Sequence, residues 1–254
     1  MREMKSLLTI GLLATASIAA SASAGLEPGD TIVVNRLGTS PAHAIRYNYD
    51  PNRNWDGVAT GTDYFGIAGV NNFKRQGAGI IKTFCVEMNE GFVDDPITYT
   101  VTDLGGVPED ANPGPMNSLR QTLMMDLYAR HYDDATGYAA GDSWEDARNV
   151  AAAFQLVVWE ISHENFSTDT DVSLANAEMS IILGAMAFTD TYSADVLAIA
   201  DGMINSLGDG GYMNFSQLLG LTSMDNQDML IVVPSPAIAG LAGLGLVGMR
   251  RRRR

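Results

Sequence analysis

Val150, Ala151, Phe154, Val157, Val158 and Ile161 recur every three or four positions, the spacing that aligns side chains along one side of an α-helix. The stretch Ala147–Glu164 therefore predicts a core helix of about five turns. Asp142 or Ser143 can cap its start, and Glu145 and Asp146 stand in the first turn, where the helix dipole favours acids. Gln155 interrupts the apolar pattern, sharing a face with Ala151, Ala152, Trp159 and Ser162. A carboxamide buried there without a partner costs about 1–3 kcal/mol, so the helix must dock against something that can bond it.

Upstream, β-branched and aromatic residues come in short runs separated by Gly, Pro, Asn and Asp. Thr31–Asn35, Ala44–Tyr49, Asp63–Ala68, Gly79–Met88 and Ile97–Leu104 are predicted strands. Gly105–Pro115 reads as a loop. A helix follows, carrying Leu119, Leu123, Met124, Leu127 and Tyr128, with Asn117 or Ser118 at its cap. Asp133–Asp142 reads as a loop before the Gln155 helix. Beyond it, Asp171–Leu174 and Met179–Leu183 are read as strands. Ser193 caps a helix with Val196, Ile199, Ala200, Met203, Ile204 and Leu207 on one face, closed by Gly208, and Asp228–Val233 is a last strand. The expected fold is α+β: an antiparallel β-sandwich-like framework with a helical lobe inserted after Leu104. The expected layout is β-rich over 25–104, helical over about 115–165 and mixed over 166–233.

The two ends have a different character. Arg2 and Lys5 precede the apolar run Leu7–Ala20 and the small residues Ser21–Ala24, the pattern of a secretory signal peptide spanning 1–24. At the other end Val233, Pro234, Ser235 and Pro236 precede the apolar run Ala237–Met249 and five arginines. Thirteen helical residues reach only about 20 Å, short of a hydrocarbon core of about 30 Å, which suits a temporary transmembrane tether better than a permanent one. The Arg block is expected to stay on the cytoplasmic side. Motif, apolar span and Arg tail together resemble the PEP-CTERM class of sorting signals, with Ser235 where that class has Glu. The resemblance implies handling of residues 234–254 by an exosortase-like membrane enzyme, transient anchoring in the inner membrane, and delivery to the cell surface or extracellular matrix. A plain C-terminal anchor is the other reading.

Charge narrows the partners. The chain carries 16 Lys+Arg against 30 Asp+Glu, and setting both ends aside moves the net charge from -14 to about −20. Nucleic acid is therefore not an expected partner. His43, His131 and His163 are too scattered for a zinc pattern, and the acidic pairs Asp94-Asp95, Asp133-Asp134 and Asp169/Asp171 lack an EF-hand loop. No metal or cofactor is expected.

One cysteine, Cys85, lies in Thr83-Phe84-Cys85-Val86-Glu87. Alternation puts it on a face with Thr83 and Glu87, and Phe84 and Val86 on the other. An unpaired cysteine in an exported chain calls for a reason. Phe-Cys-Val-Glu followed downstream by Phe-Gln-Leu-Val-Val-Trp-Glu-Ile resembles the paired motif of bacterial surface thioester domains, although Phe154 stands where that family usually has a small residue. The resemblance implies an internal thioester between Cys85 and Gln155 that captures amines, with Phe84, Glu87 and Trp159 in support. Glu87 has two opposed readings: it accepts a proton or orients the amide, or its charge raises the thiol pKa. Trp159, one turn from Gln155, is placed to exclude water.

The expected function is adhesion to, or construction of, a surface or matrix polymer, without enzymatic turnover. The alternatives are a binding or structural matrix protein of the same fold without covalent chemistry, and a hydrolase of matrix polysaccharide. Cys85, His163 and Asn165 follow the order of a papain-like site but lack its local signature. His163 is read as a surface or half-buried residue.

Overall fold

The computed structural model describes residues 25–88, 90–93, 96–137, 142–191, 194–208 and 216–234. The signal segment, Ser193, Ser235, Pro236 and the apolar tail fall outside them. Among the described residues no helix is long and apolar enough to cross a membrane.

Among the described residues the architecture is α+β, with an antiparallel sheet of seven strands and four α-helices. Strands β1 (Thr31–Tyr49), β2 (Tyr64–Arg75), β3 (Ile80–Cys85) and β4 (Ile97–Asp103) come first. Helices α1 (Ser118–Thr136), α2 (Trp144–His163) and α3 (Val172–Glu178) follow. Then come β5 (Met186–Thr191), α4 (Ala194–Asn205), β6 (Ser216–Thr222) and β7 (Met229–Pro234). The strand order is β2-β3-β7-β6-β4-β1-β5, and β1 also pairs with β2. The sheet thus curls until six strands close on themselves.

The closure depends on β1. The runs expected as two strands, Thr31–Asn35 and Ala44–Tyr49, are the two ends of one 19-residue strand. Register shifts at Arg36/Gly38 and Thr39/Ala42 bend it. Its first part pairs with β4 and its last part with β5, while β2 runs along most of it. Gly38 and Pro41 mark bulges here rather than the loop their residue types suggest.

Three further expectations are corrected. Asp171–Leu174 is not a strand: the Asp171 carboxylate accepts from Leu174 N–H at 2.9 Å and caps helix α3. Met179–Leu183 is the turn after α3, and the strand begins only at Met186. The loop expected over Asp133–Asp142 starts later, because α1 continues to Thr136. Asn117 caps α1 through Arg120 N–H at 3.0 Å, as its residue type suggests.

Helix α2 starts with a capping box. Ser143 Oγ accepts from Asp146 N–H at 3.1 Å, and Asp146 accepts from Ser143 N–H at 3.0 Å. Replacing Ser143 with Ala should cost about 1 kcal/mol and lower the melting temperature by about 2–4 °C, with Ser143→Asp retaining most of it. Equal melting curves for Ser143→Ala and the parent would contradict this. Beyond the cap the helix is buried on almost every side, from Ala151 through His163. It packs on β1, β2 and β3 with one flank and on α1 and α4 with the other. One continuous apolar core runs through both layers.

Candidate functional site

The end of strand β3 enters the core: Thr83, Phe84 and the following Val86 are fully buried, and Cys85 is 2% exposed. The β2–β3 ladder stops at the Asn71–Thr83 pair. Beyond it, the backbone of Cys85 would lack a partner on that side, and Gln155 supplies one. Its Nε2 donates to the Cys85 carbonyl at 2.7 Å, and its Oε1 accepts from the Cys85 N–H at 3.1 Å. The side-chain amide thus takes the place of a neighbouring strand. Cys85 Sγ lies 3.5 Å from the same Oε1. Gln155 is 0% exposed, so these bonds answer the burial requirement of its carboxamide.

The aromatic residues flanking the two motifs hold this register. Phe84 and Phe154 rings lie 4.5 Å apart, and Tyr128 meets Phe154 at 4.9 Å. Phe154 therefore fills an aromatic cluster between β3, α1 and α2. Trp159, one turn after Gln155, stacks with Phe188 at 6.2 Å. Burial pushes the Cys85 thiol up to about 12, the Trp159 indole N–H offsetting part of the rise and the Glu87 charge adding to it. No acceptor lies in hydrogen-bond geometry at Trp159 Nε1, so that offset is a weak one. The sulfur is a neutral thiol at ordinary pH.

Glu87 is turned elsewhere. Its Oε2 accepts from Asp228 N–H at 3.1 Å, its backbone carbonyl accepts from Gln227 Nε2 at 3.2 Å, and Oε1 is buried without a partner. Burial raises its pKa to about 8, with the Asp228 N–H opposing and the Asp228 charge adding to it. Asp228 is itself pushed up to about 7 by burial, against the N–H groups of Glu109 and Ser223. Of the expected supporting residues, Phe84 and Trp159 flank the Cys85–Gln155 pair, and Glu87 belongs to the neighbouring carboxyl pair. Val233 and Pro234 end β7 opposite Gln217 and Ser216.

His163 is fully buried rather than half-exposed. Its Nδ1 engages Ser162 Oγ at 2.8 Å and the Trp159 carbonyl at 3.2 Å, while Nε2 has no partner. Burial pushes its pKa down to about 3. Asn165 donates to the carbonyls of Pro51 and Arg53, both at 2.7 Å. Neither residue is hydrogen-bonded to Cys85. Among the described residues no cluster of three or more His, Cys, Asp or Glu is placed to hold a metal.

A cleft of about 220 Å³ leads to Cys85, with Trp159, Tyr47, Phe65, Glu90 and Phe92 also in its lining and Gln155 behind it. Sequence reading missed Tyr47 and Phe65, whose only local signal is β alternation. A larger depression of about 360 Å³, near Thr98, Glu109 and Asp225, contains neither Cys85 nor Gln155.

No family model and no curated protein sequence matches this chain. Among solved structures it is similar to the N-terminal domain of the Streptococcus pyogenes pilus tip adhesin Cpa, at a TM-score of 0.40 and 11% identity, over 86% of this chain and 100% of that one. A likeness that distant transfers no function.

Proposed function

We propose that this is an exported surface or matrix protein that attaches to its target through an internal thioester between Cys85 and Gln155. The observation that carries the reading is the double approach of Cys85, backbone N–H and sulfur, to the one carboxamide oxygen of Gln155. In the bond-forming step the sulfur attacks the Gln155 carboxamide carbon. The S–C bond forms, the C–N bond breaks, and the thiol proton leaves with the nitrogen as ammonia. Negative charge then develops on Oε1, where the Cys85 N–H already donates, in the manner of an oxyanion hole. An amine arriving through the cleft reverses the pattern: its nitrogen bonds the acyl carbon, and the thiol is released with a proton. Export, passage through an exosortase-like enzyme and transient membrane tethering belong to the same proposal and rest on the terminal sequences.

Intact-mass spectrometry tests the bond. The mature protein is expected about 17 Da light through loss of ammonia, and methylamine should add about 31 Da to that species. Cys85→Ala and Gln155→Ala should each abolish both changes. A full-mass protein whose Cys85 is alkylated quantitatively after unfolding would rule the thioester out.

One observation favours a second reading. The Gln155 amide donates to the Cys85 carbonyl and accepts from the Cys85 N–H, so the pair also serves as a clamp between α2 and β3 in a non-covalent binding protein. Adhesion unchanged in Cys85→Ala would select that reading.

A further inference from the structure

The acidic charge of this protein is unevenly distributed. Strands β1, β2 and β3 contain no Asp or Glu. They carry Arg36, Arg46, Lys74, Arg75 and Lys82, five of the nine Lys and Arg between residues 25 and 234. Arg36, Arg46 and Lys74 are exposed. The same strands present Leu37 at 54%, Tyr64 at 52%, Phe65 at 65% and Ile67 at 58% exposure. Two of these features meet directly, with the Arg46 guanidinium 4.7 Å over the Phe65 ring. Arg36 lies 4.4 Å over Phe92. Arg36, Phe65 and Ile67 also line the cleft above Cys85. Glu90 lines the same cleft, and Asp63 immediately precedes β2.

We infer that the outer surface of β1 and β2 around the cleft docks an acidic protein segment carrying apolar side chains. Arg beside aromatic and aliphatic residues is the composition of a protein-binding centre. Guanidinium groups held over rings lose less freedom on pairing with carboxylates. Exposed aliphatic Leu37 and Ile67 favour a protein over a glycan, which offers them nothing apolar of matching shape. The acids elsewhere on the molecule do not cancel the attraction at physiological salt, where screening acts over about 8 Å. The inference extends the adhesive reading by naming the partner's chemistry, and the docking needs no covalent step.

The test uses random poly(Glu,Tyr) as the acidic, apolar probe, with poly-Glu and alginate for comparison, on the protein and on its Cys85→Ala variant. Saturable binding of poly(Glu,Tyr) at physiological salt, tighter than either comparison polymer and equal in the two proteins, is expected. Arg36→Glu/Arg46→Glu and Phe65→Ala/Ile67→Ala should each weaken it about tenfold, with melting temperatures preserved and Val58→Ala/Met224→Ala without effect. Absence of saturable binding, alginate binding as tightly, or equal loss in the Val58/Met224 control would overturn the inference. Binding that survives in Cys85→Ala while the mass test fails would discard the thioester and keep the docking surface.

Discussion

Replacing Phe154 with Ala should destabilise the protein by about 3–5 kcal/mol, read as a shift of the urea midpoint followed by tryptophan fluorescence. Phe154 is fully buried, and its ring contacts Phe84, Tyr128 and Tyr132. Truncation leaves a cavity that α1, α2 and β3 cannot close together, because each is fixed by contacts to other layers. Phe154→Leu refills most of the volume and should cost under about 1.5 kcal/mol. The effect reaches the site as well. Phe84 precedes Cys85 and Phe154 precedes Gln155, so their contact sets the register that brings amide to sulfur. Any mass change owing to the thioester should fall in Phe154→Ala even under conditions where the variant is folded. A midpoint shift corresponding to less than about 1 kcal/mol would show that the cluster is not what holds the helix.

Stability should fall as pH rises from 6 to 8.5, by about 5 kcal/mol in total. Burial raises the folded pKa of Glu87 to about 8 and those of Asp228 and Glu164 to about 7. Each carboxyl therefore holds a proton in the folded state that the unfolded chain sheds near pH 4. That favourable difference is complete below the unfolded pKa and is lost as pH climbs through the folded one. His163 works with the opposite sign. Its folded pKa is about 3, so it opposes folding at low pH, and its penalty is gone once pH exceeds about 6.5. Above that point only the carboxyls act. Melting temperatures at pH 6 and 8.5 check the direction, and Glu87→Gln should shrink the difference because a neutral amide replaces the titrating group. A melting temperature that rises across this range would refute the assignment of these carboxyls as protonated in the folded protein.

The spacing of apolar residues was enough to find α1, α2 and α4, because helical periodicity and capping act within a turn or two. Asn117 and Ser143 are caps for the same local reason. The expected strand Asp171–Leu174 takes as its first residue an Asp that instead caps helix α3, whose seven residues are too short to show a helical period. Strand β6 (Ser216–Thr222) had no signal beyond a short apolar run, and β1 was divided at residues that turn out to bend it. The demand of Gln155 for a partner was legible from its apolar neighbours, and Cys85 was legible as the single cysteine in a buried strand.

From the sequence by itself come three of the four described helices, the caps Asn117 and Ser143, the α+β class, the acidic balance and the two residues worth pairing. Only the tertiary structure decided that the β2–β3 ladder ends at Thr83, two residues short of Cys85, leaving a backbone gap that the Gln155 amide fills. It also turned Glu87 towards Asp228, buried His163, and gathered cations and apolar side chains around one cleft. The reason is one of range. Caps and periodicity depend on neighbours a few residues away, whereas Cys85 and Gln155 lie 70 positions apart and meet only through the packing of α2 against a closed sheet.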